Sequence, residues 1–107
     1  MTIKWVVTDP LVMNGEPFCY GTRLTVRNIL ELRSSGYTLA HMLKDHPELR
    51  RMGVAAAYAY AGGHRDRYAE FFEPDGSLAG PGYSAAEADG LPEGYRIPGV
   101  VIKPASG

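Results

Sequence analysis

The chain is short of cysteine, tryptophan and long apolar runs, and each shortage removes a class of protein. A single cysteine, Cys19, has no partner for an internal disulfide, so a disulfide-stapled scaffold is excluded and a reducing compartment is expected. The longest oily run, Val54 to Ala61, falls far below the ~20 residues a membrane helix needs. Near the start, Lys4 is followed by only Trp5-Val6-Val7 before Thr8-Asp9-Pro10 breaks the apolar stretch, which is not the pattern of a secretory leader. Together these features predict a soluble, cytoplasmic protein with no membrane contact. Catalytic groups are equally sparse. His41 and His46 are five residues apart, about 140° around a helix, and His64 sits beside Gly62-Gly63, so no metal site and no cofactor are expected. Cys19 has no His or Lys cluster near it in sequence and reads as a small, half-buried hydrophobe. Nothing marks a catalytic residue, and an enzyme is not expected.

What is present divides the 107 residues in two. Residues 1–68 carry nine basic and six acidic side chains, net +3, whereas residues 69–107 carry two basic and six acidic, net -4. Seven glycines and five prolines fall in the same final 39 positions, a density typical of irregular chain. The sequence therefore predicts a compact body over 1–66 and an acidic, Gly/Pro-rich extension over 67–107. A body that small buries only ~60% of its unfolded surface, which favours a dimer partner.

Within the body, Ile3, Trp5 and Val7 alternate with Lys4, Val6 and Thr8, the period of a half-buried strand, and Phe18-Cys19-Tyr20 forms a second extended piece between Gly15-Glu16-Pro17 and Gly21. These two strands are placed either against each other or as an arm across another subunit. Thr25 is expected to cap a first helix with Val26, Ile29, Leu30 and Arg33 at helical spacing, stopped by Gly36. Thr38 caps a second, with Leu39, Met42, Leu43 and His46 on one face and Pro47 as its end. A third runs from about Arg51 to Ala61, with Val54, Ala57, Tyr58 and Ala61 sharing a face and Gly62-Gly63 beyond it. Helices this short do not persist alone in water, so their apolar faces must close one core around Ile29, Leu30, Leu43, Val54 and Tyr58. The fold class is thus mainly α, a homeodomain-like tri-helical helix-turn-helix unit with short N-terminal strands and an irregular C-terminal extension carrying short strands.

The stretch GEPFCYGTR has two glycines ahead of a helix, as phosphate loops do, but Pro17 removes one amide donor and three bulky residues separate the glycines. A structural reading is preferred: Gly21 permits a tight turn, and Arg23 is held there by backbone carbonyls or by a carboxylate such as Asp9.

The run Asp9-Pro10, Gly15-x-Pro17, Gly21-Thr22-Arg23-Leu24-Thr25-Val26, Ile29-Leu30-x-Leu32, Gly36-x-Thr38, His46-Pro47-x-Leu49 and Val54-x-x-Ala57-Tyr58-Ala59-Tyr60-Ala61 resembles the domain-of-unknown-function family 433. The resemblance covers about residues 3–64. It implies a homeodomain-like helix-turn-helix fold, homodimerisation, and the role of a VapB-like antitoxin that restrains a PIN-like ribonuclease toxin. Family members usually carry an acidic residue in the first turn of helix two, and a Thr with acidic residues opening helix three. His41, and then Arg50, Arg51 and Met52, stand at those places, so both capping boxes are missing.

Opposite the apolar stripe of the third helix lie Met52, Ala56, Ala59 and Gly63, flanked by Ala55 and Tyr60, none of them able to make bidentate base contacts. The helix is expected to pack against another helix rather than to read bases, with Tyr58 and Tyr60 as core and interface. Candidate DNA contacts reduce to Arg27, Arg50 and Arg51, as phosphate ligands. The extension, rich in aromatic and β-branched side chains, is expected to order on a partner through Phe71, Phe72, Tyr95, Arg96, Ile97, Val100 and Ile102, with GYRIPGVVIKP lying extended against a sheet edge; the alternative is that these strands fold back onto the same chain or its dimer mate. If that partner is the PIN-like toxin, Arg96 is the residue expected to reach its acidic site. Two functions follow: a dimeric antitoxin that neutralises a PIN-like toxin and binds operator DNA, or a dimeric protein-interaction module on the same scaffold without DNA binding.

Overall fold

A computed structural model describes residues 5–103; Ile3, Lys4 and Pro104, placed in extended segments by their sequence, lie outside the described residues. Two strands, β1 (Val6–Val7) and β2 (Phe18–Cys19), pair antiparallel with Val6 opposite Cys19 and Val7 opposite Phe18. Three helices follow, α1 (Val26–Ser34), α2 (Leu39–Asp45) and α3 (Arg51–Gly63), and a short α4 (Ala85–Ala88) lies in the extension. The molecule is small and mainly helical, with one two-stranded sheet.

Local chemistry accounts for the helix ends. Thr25 Oγ1 accepts from Asn28 N at 3.0 Å while Asn28 Oδ1 accepts from Thr25 N at 3.0 Å, a reciprocal cap for α1. At the other end Gly36 takes φ +99°, and the amides of Gly36 and Tyr37 donate to Arg33 O and Leu32 O at 2.9 and 3.1 Å, the paired bonds of a Schellman stop. Thr38 caps α2 from one side only, accepting from His41 N at 3.2 Å, and Arg50 at the start of α3 gives no side-chain cap. Both observations match the missing capping boxes. Helix α3 runs two residues past the expected Ala61, through Gly62 and Gly63.

The core is not confined to the three helices. Ile29, Leu30, Val54 and Tyr58 are buried as expected and Leu43 half-buried, but Leu78, Tyr83, Leu91, Val100 and Val101 of the extension are buried in the same cluster. The extension is therefore part of the folded body, which corrects the expectation of a segment that orders only on a partner. It does not lie extended either. The amides of Val100, Val101 and Ile102 all turn onto Ile97 O, and single-residue bridges join Phe72 to Leu78, and Tyr83 and Pro98 to Ile102. The physical reason is that a three-helix body of this size leaves apolar surface on α3 that water penalises, and the extension supplies the apolar side chains to cover it.

Arg33 anchors that covering layer. Its side chain is fully buried; it donates from Nη1 to Val100 O and from Nη2 to Leu78 O at 3.4 Å, and lies 4.5 Å from the Tyr58 ring centroid. Gly80, at φ +93°, passes so close that a Cβ would stand 1.9 Å from Arg33 O.

Candidate functional site

Helix α3 is buried on most of its surface, with Met52, Ala59 and Tyr60 half-buried and Gly63 exposed on the remaining side. At its start, Gly53 meets the β-strand pair: Cys19 Sγ lies 3.7 Å from Gly53 O, and a Cβ at Gly53 would touch the Trp5 ring at 3.8 Å. In the middle, the Tyr58 hydroxyl reaches Met42 Sδ of α2 at 3.6 Å, and its ring meets Tyr83 edge-on at 6.0 Å. Tyr83 in turn donates its hydroxyl to Arg51 O. At the end, a Cβ on Gly62 would stand 3.0 Å from Val100 Cγ1. Ala55 and Ala56, expected to face outward, are both buried. On the side of Tyr83 and Val100, α3 packs against the chain's own extension.

The arginines assigned to DNA do not form one surface. Arg27 pairs with Glu70, donates to Arg67 O at 3.0 Å, and lies over the Tyr68 and Phe71 rings at 5.2 and 5.6 Å. It ties α1 to the turn that follows α3. Arg50 and Arg51 stand at the opposite end of α3, roughly 18 Å away along its axis. Arg51 donates to Glu87 O within α4, and Arg50 is exposed, its guanidinium without a hydrogen bond or ion pair among the described residues.

The side chains assigned to a partner are largely internal. Val100 is buried, and Phe71, Phe72, Tyr95, Ile97 and Ile102 are half-buried against the core. Arg65 lies 4.5 Å from the Phe72 ring centroid, and Arg96 Nε donates to Leu91 O at 2.8 Å. As a linear docking segment this set is withdrawn, because its apolar members already have partners within the chain. The histidines lie apart: His41 is 3.6 Å from Asp45, His46 is 3.5 Å from Glu48, and His64 Nδ1 is 2.8 Å from Tyr60 O. Among the described residues no three metal-ligating side chains converge. Burial pushes the Cys19 thiol up to about 12, and the Tyr58 and Tyr83 hydroxyls higher still, so none of the three ionises near neutral pH.

Exposed apolar surface collects elsewhere, around the loop between β1 and β2. Leu11 is 94% exposed, Tyr20 60% and Val12 36%, and these are the large hydrophobic side chains left in solvent among the described residues. Asn14 in this loop takes φ +55°, a conformation seldom seen outside glycine. Leu11, Val12, Phe18 and Leu24 line a broad open groove of about 930 Å³ that ends at Arg23 and Glu48. A smaller hollow of about 340 Å³, between Trp5, Tyr20 and Arg50, adjoins it and shares Gly21 and Glu48. Arg23 is not held at the turn as expected: Asp9 Oδ1 instead accepts from Leu11 N at 2.9 Å, and Arg23 is exposed with no hydrogen bond among the described residues. Sequence reasoning missed this groove. The available signal was Leu11-Val12, an apolar pair with no strand or helix period, set between Pro10 and Asn14-Gly15.

A family model described as "Protein of unknown function (DUF433)" matches residues 6–61, just over half the chain. No curated protein and no solved structure matches it.

Proposed function

The chain belongs to the DUF433 family, and from that premise we propose that it is a non-enzymatic protein-interaction module, antitoxin-like in restraining a partner, which does not read DNA. In this reading α1–α3 form the homeodomain-like unit, with α2 and α3 as its helix-turn-helix pair, retained as a scaffold for dimerisation and protein contact. The partner is the PIN-like ribonuclease that the antitoxin resemblance implies, and the setting is the cytoplasm. Among the described residues no helix is long and apolar enough to cross a membrane.

The observation that carries the reading is how little of α3 is left for base contact. A recognition helix must lay one bare face in a major groove ~12 Å wide and present side chains to base edges. On α3 the strand pair covers the start, Tyr83 the middle and Val100 the end. The side left uncovered, Met52, Ala59 and Tyr60 half-buried and Gly63 exposed, offers no side chain able to make bidentate base contacts. The scattered arginines add little, since Arg27 and Arg51 are already engaged within the chain.

Fluorescence anisotropy with the gene's own upstream DNA at two salt concentrations, beside pull-down of the neighbouring gene's product by the full chain, tests the proposal. Stable capture of that product with no DNA binding at low salt is expected. Tight, salt-sensitive DNA binding would overturn it in favour of an operator-binding antitoxin that uses Arg50 and Arg51 on phosphates.

A further inference from the structure

The chain holds eight arginines. Six are engaged within the fold: Arg27, Arg33, Arg51, Arg65, Arg67 and Arg96 each donate to a carboxylate or backbone oxygen. The two that do so with no group among the described residues are Arg23, which lines the groove with Leu11, and Arg50, which lines the adjoining hollow with Tyr20. The most exposed apolar side chains and the unengaged guanidinium groups therefore fall on one surface. Glu48, the carboxylate between them, lies 3.5 Å from His46 Nδ1.

We propose that this groove and the hollow adjoining it dock an acidic segment of a partner protein, with aliphatic or aromatic side chains seated against Leu11, Val12, Phe18 and Leu24 in the groove and carboxylates meeting Arg23 there and Arg50 in the hollow. The proposal deepens the protein-module reading and rests on it. Charge argues for the sign of the occupant. Two unpaired guanidinium groups offer planar forks that match carboxylates, whereas a basic segment would meet two like charges with only Glu48 in compensation. Shape argues for a peptide. The groove is broad and open, and so suited to side chains delivered by an extended or helical segment rather than to an enclosed small molecule. Charge argues against nucleic acid: two cations with Glu48 between them are few for a phosphate track.

Tests use the full chain and substitutions at exposed positions, so the fold is retained and its melting transition serves as the control. A random twelve-residue display library is selected on the chain and again on the Arg23→Glu/Arg50→Glu variant. Peptides with apolar anchors and net negative charge are expected from the first, with affinity for the variant reduced at least about tenfold and a comparable loss for Leu11→Ser. Enrichment of basic or uncharged peptides, no enrichment over empty support, or equal binding by the substituted chains would overturn the proposal. So would binding of a random-sequence single-stranded oligonucleotide that the double charge reversal abolishes. Capture of the neighbouring gene's product equally by the chain and by all groove variants would leave the protein-module reading standing and remove this groove from it.

Discussion

Replacing Arg33 with methionine tests what holds the extension to the helices. Arg33 is a buried guanidinium whose pKa is lowered by burial, with neighbouring Tyr58 opposing the shift. Its side chain meets the carbonyls of Val100 and Leu78 and the Tyr58 ring. Arg33→Met leaves two buried acceptors unpaired, at about 1–3 kcal/mol each, and removes a desolvated cation–π contact worth about 2 kcal/mol. Relief of the buried charge returns several kcal/mol in the opposite direction. The native Nε is itself a buried donor without a partner, a cost that Arg33→Met relieves, and it narrows the balance in favour of the arginine to about 3 kcal/mol. For a domain of this size that predicts a fall in Tm on the order of 15 °C. Differential scanning calorimetry measures the loss, and limited proteolysis should show earlier cleavage between Phe72 and Ser84. Arg33→Lys keeps the charge without the planar fork and should destabilise at least as much. A methionine variant as stable as the native chain, with the extension equally protected, would refute the reasoning and make charge burial the larger effect.

Gly80→Ala should loosen the same region by roughly 2–6 kcal/mol, since it adds left-handed strain to a Cβ placed against the Arg33 carbonyl; chemical denaturation measures it, and a loss below about 1 kcal/mol would contradict the close approach. Truncation after Tyr68 removes the buried Leu78, Tyr83, Leu91, Val100 and Val101, on the order of 10 kcal/mol of apolar burial and thus comparable to a whole domain's stability. A cooperative melt of residues 1–68 would show instead that the helices stand alone. Raising the pH should destabilise the fold, because burial raises Cys19 to about 12 and also raises Tyr58 and Tyr83. The folded state keeps these protons while the unfolded chain releases them, so their contribution is intact below about pH 9 and is lost as pH climbs towards 12; tyrosinate absorbance that rises before tertiary structure is lost would refute the coupling. Thr25→Ala should cost about 1 kcal/mol through loss of the reciprocal cap on α1, read from the urea midpoint.

Much of the helical body was legible because its signals are local. Thr25, Gly36, Thr38 and Pro47 act on amides and carbonyls within a few residues of themselves, and α1 and α2 end where those residues direct. Asn28 as the second half of a cap was overlooked, although it lies three residues from Thr25. Helix α4 was also missed, despite Ser84 and Glu87 forming a capping box in plain sequence. High Gly and Pro content drew attention away from it.

The extension was read correctly as too apolar for a solvated linker and wrongly as waiting for another protein. Composition measures how much apolar surface a segment must hide, not which surface hides it, and Tyr83 and Val100 meet α3 across more than 20 intervening residues. By itself the sequence determined the caps, turns, helix periods and family, all set by chemistry between near neighbours. Only the tertiary structure decided that the extension covers one side of α3, that six arginines are engaged, and that Arg23 beside Leu11 and Arg50 beside Tyr20 line adjoining hollows. Those outcomes depend on long-range packing, in which each side chain's partner is chosen by the whole core at once.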